Sequence, residues 1–437
     1  MTSIRDRLLA LVGATVLLTA VTATVGQGVA RAECALPAGN TAQQWDQIAV
    51  DTVTAVGKVP FQNEGLLYMA YVNGSVYDAV MSITGGYAPY GPTIAAEPDA
   101  SPDAAIAAAA YDTLAYYVGT NDVLDCQRDL ALADGSDATM HGADVGHAAA
   151  AAMIETRTGD GRQTPFGITS GSVPAAGPGV WQPTPPTYAS PQTPWVGEVR
   201  PFILETPDQY LPPPPPPLMS RVWANEYNEI KLWGAGDSSV RTQEQTDIAL
   251  FWSTNVIRQY NAAFRQVASQ HSLDLLQTTR LIGEGSLVAA DAQIACMNAK
   301  YDYWFWRPVT AINPTARPST ASLDDGNPRT TEQAGWLPLL GTPNHPEYPA
   351  AHGCLTSAMA EVFSQFLGTT NIDLTITSTT VATMPTRHFD TAAQLRTEII
   401  NARLWAGLHY RGSSEQGVKL GQKVARYDLA HAFEPIA

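Results

Sequence analysis

The stretch Lys300-Tyr301-Asp302-Tyr303-Trp304-Phe305-Trp306-Arg307-Pro308 sets two cations seven residues apart across a run of aromatic side chains. Read as helix, that spacing is two turns, so Lys300 and Arg307 share a face about 10 Å apart along the axis, within reach of one ligand. Pro308 disfavours α geometry at the residue before it and so sets Arg307 at the helix's end. Outward from this stretch, residues 272–303 carry helical apolar periodicity. So do 43–58, 62–83, 103–118 and 143–157 before it, together with 220–233 and 242–267, and 353–368, 391–406 and 414–433 after it. Only Ile372 to Thr380 alternates as a strand does, and a Thr-rich loop reads equally well. No unit repeats at a fixed period, and the expected fold is all-α.

The helical segments fall into two groups. Fifteen of the 32 prolines lie between Pro174 and Pro217, a stretch that excludes helix and central strand. Its Trp181, Tyr188, Trp195 and Phe202 mark a connector packed on the surface rather than a free linker. The expected organisation is therefore a helical bundle over 33–172, the connector over 173–219, and a second bundle over 220–437. Residues 1–32 read as an export signal. Arg5 and Arg7 precede an apolar run from Leu8 to Val25, and Ala30-Arg31-Ala32 offers a cleavage site after Ala32. No later segment is apolar for long enough to span a bilayer, so the mature chain is expected to be secreted. Export permits disulfides. Cys34, Cys126, Cys296 and Cys354 allow three pairings, with Cys296–Cys354 favoured because both flank the motifs.

A formal charge of −16 argues against nucleic acid or an anionic membrane as partner. An anion would need cations gathered locally, and two further segments supply them. In His345-Pro346-Glu347-Tyr348-Pro349-Ala350-Ala351-His352-Gly353 the second proline is expected in the first turn of a helix. The free N–H groups there, Ala351 among them, would seat an anion beneath His352. In Arg403-Leu404-Trp405-Ala406-Gly407-Leu408-His409 six residues turn roughly 240°, so Arg403 and His409 cannot share a helix face. A break at Gly407 would free His409 to project past the helix end. Two Arg, a Lys and two His in such contexts suit a tetrahedral or trigonal-bipyramidal oxyanion.

The order Lys300-x6-Arg307-Pro308, Pro349-x-x-His352, Arg403-x5-His409 resembles the vanadium-dependent haloperoxidase and type 2 phosphatidic acid phosphatase superfamily. Val76-Tyr77-Asp78-Ala79-Val80, Trp181 to Pro186 and Pro201-Phe202 extend the likeness to bacterial haloperoxidase-like proteins. The resemblance implies two four-helix bundles with the anion site in the second. It implies that Lys300, Arg307 and Arg403 hold the equatorial oxygens of vanadate and that His409 is the axial vanadium ligand. His352 would deprotonate hydrogen peroxide, which then oxidises a halide in the presence of a small organic substrate. His345 stands where bromoperoxidase members commonly carry a His, which implies bromide and iodide over chloride. In phosphatase members phosphate takes the same seat: His409 would attack a phosphomonoester and His352 would protonate the leaving group.

The chain departs from that pattern in three places. Ala350-Ala351 replaces a usual Ser-Gly, which removes a hydroxyl bond ordinarily worth about 0.5–1.5 kcal/mol. Ala402 replaces a Ser. Ser413 stands where many members carry an Asp that would fix the tautomer of His409, and its loss counts against the phosphatase reading. A non-catalytic oxyanion-binding member is the third reading. Asp291 and Asp302 are candidate ion-pair partners of Lys300. Asp324, Asp325 and Asn327 read as a polar turn rather than a calcium site. Gly283-Glu284-Gly285 lacks the strand that a dinucleotide site needs. The aromatic run Tyr303 to Trp306 reads first as core packing and second as a channel lining.

Overall fold

The computed structural model describes residues 34–164, 174–318 and 323–436. The expected export signal, 1–32, lies outside the described residues. Thirteen α-helices and two short strands make up the regular structure described. In chain order the first five helices are α1 (Thr41–Val53), α2 (Gln62–Thr84), α3 (Pro102–Tyr117), α4 (Asp122–Ala131) and α5 (Asp137–Thr156). After the connector come α6 (Arg221–Trp233), α7 (Gln243–Phe251), α8 (Val256–Gln270), α9 (Leu275–Tyr303) and the short α10 (Pro308–Ile312). The C-terminal part holds α11 (Ala351–Phe366), β1 (Leu374–Thr377), β2 (Thr386–Phe389), α12 (Ala392–Trp405) and α13 (Arg411–His431). No described helix is long and apolar enough to cross a membrane.

Most helix starts follow from capping. Asn40, Thr242, Asp274 and Thr391 each accept from a backbone N–H three residues on, while a Gln at that position reaches back. The expected single helix over 242–267 is two helices, because Asn255 accepts from the N–H groups of Ile257 and Arg258 and starts a new one. The helix α4 was not expected. Its register is set by the cap Asn121, and it buries only Leu124 and Gln127. The strand expectation over 372–380 holds in part: β1 pairs antiparallel with β2, Leu374 opposite Phe389.

The helices α2 and α9 form the centre, buried along nearly their whole length and packed on each other. One apolar core runs from α1 to α13 around them. From residue 174 the connector turns its side chains inward: Trp181 and Val196 are fully buried, and Trp181 N–H donates to the carbonyl of Trp304. On the other side of α9, α11 and α13 approach so closely that a Cβ on Gly421 would lie 1.9 Å from the carbonyl oxygen of Cys354. Only glycine allows that crossing. Disulfides join Cys34 to Cys126 and Cys296 to Cys354. The second, as the flanking positions suggested, ties α9 to α11.

Candidate active site

Three chain segments end at one place. The helix α9 stops at Tyr303, where Trp304 turns into the left-handed region (φ 48°). The chain then runs extended through Phe305, which bridges to Val180 of the connector, and Arg307 caps α10 with Pro308 in its first turn. Lys300 and Arg307 therefore do not share a helix face. They converge because the helix ends between them. The helix α11 begins at Ala351, so Pro349 lies just outside its first turn and His352 sits within it. No side chain caps that helix, which leaves its first N–H groups without a side-chain acceptor. The helix α12 ends at Trp405, and Gly407 (φ 76°) turns the chain so that His409 projects beyond the end while Arg403 stays in the last turn. That break is the one expected.

Lys300, Arg307, Arg403 and His409 are all buried. Lys300 Nζ donates to the carbonyls of Pro346 and Glu347, both at 2.9 Å. Arg307 spreads over the segment: Nε donates to the His345 carbonyl (2.9 Å), Nη1 to the Leu408 carbonyl (2.9 Å) and Nη2 to His345 Nδ1 (3.1 Å). Its Nη1 also faces His409 Nε2 at 3.2 Å. Arg403 is held more loosely, with Nη1 3.4 Å from the Trp252 carbonyl and Nε without a partner among the described residues. His352, half-buried, also bonds to the backbone of Trp252.

The other ring nitrogen of His409 carries the main unexpected contact. Glu347, fully buried, places Oε1 2.8 Å from His409 Nδ1 and accepts the Tyr410 N–H at 3.1 Å. A guanidinium can only donate, so Nε2 is the acceptor and Nδ1 carries the proton that Glu347 receives. The carboxylate missing at Ser413 is thus supplied from another segment, which removes the sequence-based objection to nucleophilic chemistry at His409. Ser413 itself stays close, its hydroxyl 3.5 Å from the Glu347 carbonyl.

Burial and mutual repulsion govern the electrostatics. Burial, then Arg307 and Arg403, hold the Lys300 ammonium well below the usual lysine range against the pull of Glu347. Burial lowers Arg307 to about 10, and burial with Arg307 lowers Arg403 to about 9. Burial first and the neighbouring cations second keep His345, His352 and His409 well below the ordinary histidine value, hence neutral. Burial pushes Glu347 up to about 8, opposed by Lys300 and Arg307. Three buried cations against one carboxylate leave a deficit that an oxyanion would fill. Among the described residues no three His, Cys, Asp or Glu gather to chelate a cation. The donor set therefore fits an anion such as vanadate or phosphate.

His345, Ala351, His352, Arg403 and His409 open on one cavity of about 330 Å³, and Arg307 reaches His345 and His409 from outside its lining. Asp291 and Asp302 are not partners of Lys300. The Asp291 carboxylate instead accepts the backbone N–H groups of Phe202, Ile203 and Leu204 and docks the connector, and Asp302 is exposed. The run Tyr303 to Trp306 does not line the cavity; Phe305 and Trp306 pack with Trp223 and Tyr410 in a separate core. Asp325 accepts from Trp223 Nε1 (2.6 Å) and Asn327 N (2.9 Å), as a structural turn does.

Residues 281–437 match the family described as the VCPO second helical-bundle domain. No curated protein matches the chain in sequence. Among solved structures it is similar to a bacterial vanadium-dependent iodoperoxidase, with TM-score 0.74 and 21% identity, over 92% of this chain and 99% of that one. A holo-type bacterial vanadium-dependent chloroperoxidase aligns at TM-score 0.67 and 16% identity, over 92% of this chain and 97% of that one. The apo-type chloroperoxidase gives TM-score 0.68 and 16% identity over 88% and 97%.

Proposed function

The chain carries the second helical bundle and the fold of the vanadium haloperoxidase and type 2 phosphatidic acid phosphatase superfamily, and from that premise we propose that it is a secreted vanadate-dependent haloperoxidase. The observation that carries the reading is the buried, under-neutralised set Lys300, Arg307 and Arg403 facing the unprotonated Nε2 of His409. The two disulfides suit an oxidising compartment and support export.

Lys300, Arg307 and Arg403 would hold the oxygens of vanadate, with the N–H groups of Ala351 and His352 adding the positive end of α11. His409 Nε2 would be the vanadium ligand, and Glu347 fixes its tautomer by accepting the Nδ1 proton. Bound vanadate supplies a Lewis-acidic centre on which hydrogen peroxide oxidises halide, X⁻ + H₂O₂ + H⁺ → HOX + H₂O. His352, kept neutral by burial and by Arg403 and Lys300, is free to take a proton from peroxide as it enters. His345 Nδ1 faces Arg307 at the cavity wall, where an imidazole favours bromide and iodide over chloride in this reading.

One observation favours a second reading. Glu347 gives His409 the carboxylate partner that a phosphohistidine mechanism needs, so an acid phosphatase is the alternative. The test uses the mature protein freed of bound anion, with and without vanadate. Bromination of a cyclic diketone by peroxide and bromide is followed in parallel with hydrolysis of an aryl phosphate. Vanadate-dependent bromination lost in His409→Ala supports the haloperoxidase. Phosphate hydrolysis blocked by vanadate, without bromination, supports the phosphatase. Neither activity, with vanadate still bound, leaves an oxyanion-binding protein.

A further inference from the structure

Like charge meets where the end of α9 and the start of α11 come together. Lys300 lies in the last turn of α9, fully buried. The start of α11 carries the positive end of its helix dipole, and no side chain caps it. Arg403 and Lys300 both act on His352, in that first turn, as repelling charges. In the anion-free protein these charges oppose the approach of α11 to α9. The Cys296–Cys354 disulfide crosses the same junction. Cys296 precedes Lys300 by four residues, on the same face of α9. Cys354 follows His352 by two, and its N–H donates to the Ala350 carbonyl at 3.1 Å, closing the first turn of α11. The bond holds the two Cα atoms 6.4 Å apart, and both cysteines are fully buried. On its other side the same turn lies against α13. A Cβ on Gly417 would stand 2.5 Å from the Ala350 carbonyl oxygen, and the Ala350 N–H donates to the Ser413 carbonyl at 3.1 Å. Packing and a hydrogen bond thus fix the start of α11 to α13, and a covalent link fixes it to α9.

We propose that the Cys296–Cys354 disulfide is a positioning element of the oxyanion seat. It keeps the first turn of α11, and with it His352 and the N–H groups of Ala351 and His352, in register with Lys300 before an anion arrives. A site whose donors are already in place loses no affinity to gathering them. Without the cross-link, repulsion lets that turn relax away from α9, and an arriving anion must first draw it back. The other disulfide, Cys34–Cys126, joins the segment before α1 to α4, neither of which supplies a residue of the seat. The inference rests on the oxyanion seat of the proposed function, and not on what the bound anion goes on to do.

The test compares two double variants, Cys296→Ala/Cys354→Ala and Cys34→Ala/Cys126→Ala, with the wild type. They remove cross-links over sequence separations of 58 and 92 residues, so both free the unfolded chain and lower the thermal midpoint. Inorganic phosphate and vanadate are titrated calorimetrically into the anion-free proteins, well below every midpoint and without peroxide or halide. Loss of Cys296–Cys354 should raise both Kd values by about tenfold, the lower range for one hydrogen bond to a charged group. Loss of Cys34–Cys126 should leave them within about twofold, because it acts on stability alone. Selective ¹⁵N labelling of histidine adds a readout that stability does not move. The phosphate-induced shift of the His352 amide should shrink in the first variant and persist in the second. Cys296→Val/Cys354→Ala, which fills more of the space, replaces the first variant should that one not fold. Unchanged Kd values on loss of Cys296–Cys354, or an equal rise in both variants, would overturn the proposal. A wild type that binds neither anion would instead refute the oxyanion seat itself, and the proposal with it.

Discussion

Replacing Glu347 with Ala tests the one contact that most distinguishes this site from its sequence motif. The Glu347 carboxylate accepts the Nδ1 proton of His409 at 2.8 Å and the Tyr410 N–H at 3.1 Å, all in a buried setting. Hydrogen bonds to charged groups contribute about 1.5–3 kcal/mol, and loss of a partner behind a metal-ligating His weakens metal affinity by about 10–100-fold. Those ranges agree, so Glu347→Ala should raise the Kd for vanadate by about 10–100-fold. Above about pH 8, where Glu347 is ionised, the same change also removes a negative charge beside an anion seat, which works in the opposite direction. Glu347→Gln removes that charge too but keeps an oxygen facing the two N–H donors. The ratio of the two variants' Kd values therefore isolates the hydrogen bond. Isothermal titration of vanadate measures both, and ¹⁵N chemical shifts of His409 report its tautomer directly. Equal affinities for the Ala and Gln variants, with the Nδ1–H tautomer retained in both, would refute the positioning role.

Ala350 is the uncapped N-cap of α11, so Ala350→Ser should stabilise the anion-free protein by about 1 kcal/mol through a side-chain cap. The same hydroxyl should tighten vanadate about two- to tenfold; a thermal melt and a titration read the two effects apart, and a null result in either discards that half. Asp428 on α13 is fully buried with neither carboxylate oxygen bonded among the described residues, and burial first, then Asp291, raise it well above the ordinary Asp value. A raised folded-state value means that stability falls as pH rises above about 4, so Asp428→Leu should stabilise by about 1–3 kcal/mol near pH 8 and by less near pH 4. Urea titrations at both pH values decide it, and a larger gain at the lower pH would contradict the reasoning. Arg403, whose Nε has no partner among the described residues, should contribute its fork only when an anion is bound. Arg403→Lys should therefore weaken vanadate binding and leave the melt of the anion-free protein within about 0.5 kcal/mol, whereas a large loss of stability would mean a structural role.

What was legible in the sequence was local. Gly407 ends α12 because only a residue at ease with φ 76° lets the chain turn, and glycine announces that. The flanking of both motifs by Cys296 and Cys354 pointed to their pairing because a disulfide needs neighbours in space. The end of α9 was not legible. Trp304 takes a left-handed conformation that nothing in its side chain favours, and it does so where the chain pairs with the connector through Phe305 and Val180. Tertiary contact there overrides helical period. Glu347 stood inside a quoted motif without a role, because its partner His409 is 62 residues away in sequence. Asp291 looked like a partner of Lys300 by proximity along the chain. Its true partners are backbone N–H groups of the connector, which carry no side-chain signature at all.

The cation cluster also bears on folding, because its members serve the chain before they serve a ligand. Lys300 ties the carbonyls of Pro346 and Glu347, while Arg307 ties those of His345 and Leu408. The cluster thus fastens the two segments that carry His352 and His409 to the end of α9. Burying charges in this way is costly, and the depressed affinities of Lys300, Arg307 and Arg403 for protons record that cost. An oxyanion that binds only the folded state returns part of it as stability, by about 2.7 kcal/mol at a hundredfold excess over Kd. Vanadate should therefore raise the thermal midpoint of the wild type, measured against chloride at equal ionic strength. Lys300→Met removes one cation while filling its space, so it should keep the fold and lose most of that increment. An undiminished vanadate-induced rise in Lys300→Met would mean that the anion binds elsewhere, and that the convergence of the three motifs is a structural clamp rather than a ligand seat.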